Sequence, residues 1–96
     1  MYSKFGQFID GKWQPSEKKE TYDVINPATE ELIGKASKAT KADVLKALKS
    51  AEKGFQIWKK TPAWKRSYKI RKIADLMRER KKELAKWLAL EVGKPL

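Results

Sequence analysis

The apolar positions of this chain change their rhythm near residue 40. Before that point they come in short runs. "QFIDGKWQ" sets Phe8-Ile9 and Lys12-Trp13 around Asp10-Gly11. That dipeptide tolerates positive φ at both turn positions, so the stretch predicts a type I′ β-hairpin. Pro15 and the polar "SEKKE" predict a loop. "TYDVI" (21–25) and "LIGKAS" (32–37) read as two strands, the second returning alongside the first. Between them Asn26-Pro27 bends the chain, because a residue before proline avoids the helical region.

After residue 40 the period lengthens. Thr40 with Asp43 three residues on makes a capping-box-like start. Val44, Leu48, Ala51, Phe55 and Trp58 then follow at helical spacing on one face. Gly54 weakens this helix slightly without breaking the stripe. Thr61 is expected to cap, with Pro62 at the first position of the next helix. There Ile70, Ile73, Met77, Leu84 and Leu88 share a face with Trp87 beside it, as one helix or as two with a break near Lys81. Gly93 and Pro95 are stop signals. The expected fold class is α+β, with a β-rich stretch over 1–39 and two or three helices over 40–96. There is no internal repeat.

Composition narrows the chemistry. With 96 residues, the chain makes one small domain at most. It has no Cys and no His, which excludes disulfides, a cysteine nucleophile and a histidine base or metal ligand within this sequence. No apolar run approaches the roughly 18 residues of a membrane span, and "MYSKFGQFIDGKW" lacks the apolar core of a signal peptide. A cytoplasmic setting without a membrane partner is therefore expected.

The formal charge is +11, and between Lys59 and Lys82 eleven Lys or Arg face only Asp75 and Glu79. Such a stripe suits phosphate backbones. It equally suits solvated faces of amphipathic helices whose aliphatic stems cover a core edge. Without a nucleic-acid-binding motif the second reading is preferred and no specific nucleic acid is expected. A free-standing basic nucleic-acid-binding module is the alternative. Gly6 to Lys12 matches the start of a phosphate-binding loop, but Trp13 stands where Ser or Thr would hold magnesium and no helix begins there. Asp43, Asp75, Glu79 and Glu83 read as surface ion-pair partners of small individual value.

Several pieces occur together in a telling order: "FIDGKW" (8–13), Asn26-Pro27-Ala28-Thr29, Asp43 with the helix ending at Phe55 and Trp58, Arg66, and Leu90-Glu91 with Gly93-Lys94-Pro95. From Phe8 to Leu96 the chain resembles the N-terminal region of the NAD(P)-dependent aldehyde dehydrogenases. Its last stretch, 90–96, is similar to succinate-semialdehyde dehydrogenases. The resemblance implies an α/β parent with a Rossmann-type nucleotide-binding domain, of which this chain is the outer N-terminal part. It implies oxidation of an aldehyde to a carboxylic acid with NAD or NADP as cofactor. In the family the reaction runs through a cysteine, by way of a thiohemiacetal and a thioester.

The cysteine, the water-activating glutamate and the cofactor-binding lysine and glycines lie downstream in the family. The chain is accordingly expected to be the opening of a longer polypeptide, to act as scaffold and to be inactive alone. No catalytic or cofactor-binding residue maps onto it. One family site does: a monovalent cation held by backbone carbonyls before Asn-Pro and by an acidic side chain before Gly-Lys, which correspond to Val24, Ile25 and Glu91. Family members often carry Asp where this chain has Glu91, one methylene longer. The implied partners are an aldehyde substrate and further copies of the chain, as a homo-oligomer or by self-association through uncovered apolar faces.

Overall fold

The computed structural model describes residues 5–96. The opening hairpin pairs β1 (Gln7–Ile9) with β2 (Lys12–Gln14) antiparallel, Phe8 opposite Trp13 and Ile9 opposite Lys12. Asp10 and Gly11 have φ of 53° and 75°, as a type I′ turn requires. The Phe8 and Trp13 rings lie 5.0 Å apart across the ladder. Gly6 to Lys12 thus forms a hairpin, not a phosphate loop.

A second antiparallel ribbon joins β3 (Thr21–Ile25) to β4 (Leu32–Ser37). Its register runs from Thr21 opposite Ser37 to Val24 opposite Gly34, then slips so that Ile25 opposes Leu32. The connecting turn is built by Asn26. Its Oδ1 accepts from the Ala28 N–H at 2.9 Å, its carbonyl accepts from Glu30 N–H at 2.8 Å, and its own N–H donates to the Glu31 carbonyl at 2.9 Å. Glu30 closes the turn in the left-handed region at φ 60°.

Three helices follow: α1 (Lys41–Lys60), α2 (Ala63–Glu79) and α3 (Lys81–Val92). The break between the last two falls at Arg80, whose φ and ψ are −95° and 15°. Pro62 stands one residue before α2 rather than at its first position. Thr61 turns its hydroxyl back into α1, donating to the Ile57 carbonyl at 2.9 Å, so it closes the first helix and leaves the second without a side-chain cap.

The α1 start is where the strands and helices meet. Asp43 completes the capping box: its N–H donates to Thr40 Oγ1 at 3.3 Å and its Oδ2 accepts from the Thr40 N–H at 2.8 Å. Both carboxylate oxygens also accept from the Glu17 N–H, at 3.2 and 3.1 Å. Thr40 Oγ1 in turn donates to Glu17 Oε2 at 2.9 Å. Asp43 is only 7% exposed, which corrects its reading as a surface ion-pair partner. It latches the loop after β2 to the helix. Asp75, in contrast, forms an exposed pair with Arg78 at 2.9 Å.

The rest of α1 follows the same orientation. Lys46 Nζ donates to Gln14 Oε1 at 2.6 Å and Ser50 Oγ to Asp10 Oδ1 at 3.3 Å. Asp43, Lys46 and Ser50 recur at helical spacing, so α1 lays its polar side on the first hairpin. Val44, Leu48 and Phe55 therefore point outward, Phe55 being 58% exposed. Ile70, Ile73, Met77 and Leu88 are exposed along α2 and α3 in the same way.

Only Ile9, 7% exposed, is an enclosed apolar side chain among the described residues. The molecule is a slab of 47 × 35 × 17 Å with a radius of gyration of 16.6 Å, against about 12.5 Å for a compact chain of this length. Its accessible surface is 8297 Å², against about 5,700 Å² for a compact monomer of its mass.

Two outcomes are expected. Donation from the Thr40 backbone N–H, seconded by Glu17 N–H and by the Gln7 and Thr40 side chains, outweighs burial and holds the Asp43 carboxyl at about 2, below its ordinary 3.8. A depressed folded-state pKa means the latch contributes fully above about pH 4 and is lost as pH falls through about 2. Helical circular dichroism followed from neutral pH to acid should show this loss, and Asp43→Asn should show it already at neutral pH. Separately, Ile9→Ala should cost about 2–4 kcal/mol in denaturant unfolding, whereas Phe55→Ala, with its ring already wet, should shift this chain's midpoint little. Equal shifts for the two would contradict the exposure described above.

Candidate functional site

The implied cation residues sit at two element ends. Val24 and Ile25 close β3, where the register slip loosens the ladder, and Glu91 lies in the last turn of α3. The link between these ends is Gly93. It follows α3 in the left-handed conformation, φ 72°, with its N–H donating to the Ala89 carbonyl at 2.8 Å, the αL stop common after helices. Its backbone rests directly on the Asn-Pro turn. A Cβ at this position would stand 2.9 Å from both Ala28 N and Pro27 Cγ. The turn after Ile25 and the helix end after Glu91 are thereby held together.

Beside this joint an open groove of about 470 Å³ runs past Asn26, Lys86, Leu90 and Pro95. No group of three or more His, Cys, Asp or Glu gathers among the described residues. The resemblance implies backbone carbonyl oxygens and the single carboxylate of Glu91 as the donors. That donor set suits a hard, weakly charged cation and offers nothing to a soft metal.

Sequence reading found the pieces of this joint but not the contact between Gly93 and Pro27. It also missed the Asp43–Glu17 latch. The Thr40–Asp43 spacing signalled a cap, yet nothing local to residue 43 points to a donor 26 positions earlier.

Because Gly93 needs both positive φ and the absence of a Cβ, Gly93→Ala should destabilise the chain by more than the roughly 1 kcal/mol of a simple left-handed glycine replacement. The α3–turn joint should loosen, seen as faster amide exchange at Ala28. Unchanged stability and exchange would show that the close approach is not tight.

Comparison with known proteins matches this architecture. The profile of the Aldehyde dehydrogenase family covers residues 13–96. A curated Staphylococcus aureus relative, provisionally named an aldehyde dehydrogenase, is 40% identical over 90 residues, 94% of this chain and 19% of its own length. The structure of S. aureus betaine aldehyde dehydrogenase in complex with NAD+ superposes with a TM-score of 0.87 at 39% identity, over 92% of this chain and 18% of that one. HpcC from Thermus thermophilus gives 0.87 at 37% identity, over 90% and 17%. The chain thus spans about a fifth of the length of these relatives. On this likeness in both sequence and fold, it belongs to the aldehyde dehydrogenase family.

Proposed function

We propose that this chain is the outer, N-terminal part of the nucleotide-binding domain of an enzyme that oxidises an aldehyde to a carboxylic acid with NAD(P)+. The observation that carries this reading is the 0.87 superposition, at 39% identity, on an enzyme crystallised with NAD+. The chain's own residues do not fit the dinucleotide. Gly6 and Gly11 lie in and beside a hairpin and neither opens a helix, so the nucleotide would be held by polypeptide beyond these residues. What this chain supplies is shape: the latch at Asp43 orients α1, and the outward faces of α1 and α2 offer apolar surface to that polypeptide.

With no Cys, the chain lacks the thiol that would attack the carbonyl. A succinate-semialdehyde-like substrate is supported by the stretch 90–96, and betaine aldehyde, in the name of a solved relative, is the second reading. A cytoplasmic setting accords with the need for an intracellular NAD(P)+ pool. Homo-oligomer formation, or self-association of the chain, is supported by the outward apolar faces. A hard monovalent cation at Val24, Ile25 and Glu91 is supported by the Gly93 joint that gathers their element ends.

The 96-residue chain with NAD(P)+ and either aldehyde should form no reduced cofactor, while the polypeptide encoded through the following coding sequence should. Turnover that tracks the short chain through purification would sink the reading, as would a continuation lacking any cysteine. For the cation, sodium or potassium chloride should raise the melting temperature of the longer protein over choline chloride at equal ionic strength, and Glu91→Gln should erase the difference. Identical melting in all three salts would remove the cation.

A further inference from the structure

The apolar stripe of α2 is accounted for by the proposed scaffold role, but the opposite side of the same helix is not. Trp64 and Tyr68 stand there 69% and 70% exposed. Four residues apart, they share one face about 6 Å apart along the axis. Ile70, Ile73 and Met77 lie roughly half a turn round, so the rings and the apolar stripe are on opposite sides of the helix.

The surroundings of the two rings are cationic. Lys65 Nζ stands 5.5 Å from the centre of the Trp64 ring. Arg71 and Lys72 follow one turn beyond Tyr68. Towards the far end of the helix Asp75 is already paired with Arg78 at 2.9 Å. The start of α2 adds to this field. Pro62 provides no side-chain cap and the first turn holds no acidic residue. The first N–H groups, including that of Trp64, are thus left to an outside acceptor, and a helix start of this kind favours phosphate.

From this arrangement we propose that the Trp64–Tyr68 face of α2 binds single-stranded nucleic acid without sequence preference. Unpaired bases offer π-faces to the two rings, as bases in a duplex do not. Lys65, Arg71, Lys72 and the helix start meet the phosphates. The chemistry separates this partner from a lipid surface, because the aliphatic side chains a bilayer would take up lie on the other side of the helix.

Fluorescence anisotropy of labelled oligouridylate with the full chain tests the proposal. With three cationic side chains on phosphates, affinity should fall roughly 20-fold between about 50 and about 200 mM salt. Trp64→Ala or Tyr68→Ala should each weaken binding by at least about 5-fold at an unchanged salt slope, and Trp64→Phe should restore most of the loss. Heparin, which offers charge without bases, should bind both alanine variants as tightly as the parent. The double change Lys65→Gln with Lys72→Gln should instead flatten the salt slope. Both rings are exposed, so circular dichroism should confirm that all variants keep their helices. The proposal is overturned by alanine variants that bind oligouridylate like the parent, or by duplex RNA that binds as well as the single strand. Phosphatidylserine vesicles that displace the oligonucleotide through the same two rings would give the face to a membrane instead.

Discussion

The Asp43 carboxylate holds the two halves of the molecule in one arrangement. The β-rich half and the helical half share almost no apolar core, since Ile9 alone is enclosed among the described residues. In its place stand polar links, chief among them one ionised side chain accepting from two backbone N–H groups 23 positions apart in sequence, Glu17 and Thr40. Charge-assisted bonds of this kind are stronger than neutral ones and fix direction as well as distance. Removing a carboxylate from water is costly unless donors replace that water; here the capping box and the Glu17 N–H do so together. Because Asp43 sits in the first turn of α1, the position of everything after it is set from this point.

That anchoring also decides which way the helix faces. A helix normally buries its apolar stripe and shows its polar side to water. In α1 the polar side is committed to the hairpin through Lys46 and Ser50 as well as Asp43, and the apolar side looks away. The arrangement would be a defect in a self-contained domain of this size. It has a physical sense in a family whose solved members are about five times as long, where further polypeptide is there to meet such a surface.

How much of this was legible in the sequence differs element by element. The strands were readable because Asp10-Gly11 and Asn26-Pro27 each encode their turn within two residues. The helices were readable because Val44 to Trp58 keep a strict helical period. The orientation of α1 was not, because periodicity shows that two faces differ and not which of them meets the neighbouring hairpin. The role of Thr61 is ambiguous in sequence for a similar reason: a hydroxyl at a junction can bond backward or forward, and here it bonds back to Ile57. At the candidate cation site the residues come from family resemblance, whereas the closeness of the β3–β4 turn to the end of α3 depends on Gly93 resting on Pro27 across 66 positions of sequence.

The separation of the two faces of α1 makes the chain unusually open to redesign. Val44, Leu48 and Phe55 share no hydrogen bond with the hairpin, and the side chains that hold the hairpin, Asp43, Lys46 and Ser50, lie on the other side. Polar replacements at the outward three would leave the anchoring chemistry untouched. Glutamate suits position 55, because Lys59 stands four residues on and its ammonium already reaches to 5.5 Å from the Phe55 ring. Glutamine suits position 48, since a carboxylate there would face Glu52 one turn later. Such changes exchange sticky surface for solvated groups and draw the charge of +11 down. A chain with so little enclosed core would then become raw material for a small, independent and soluble scaffold.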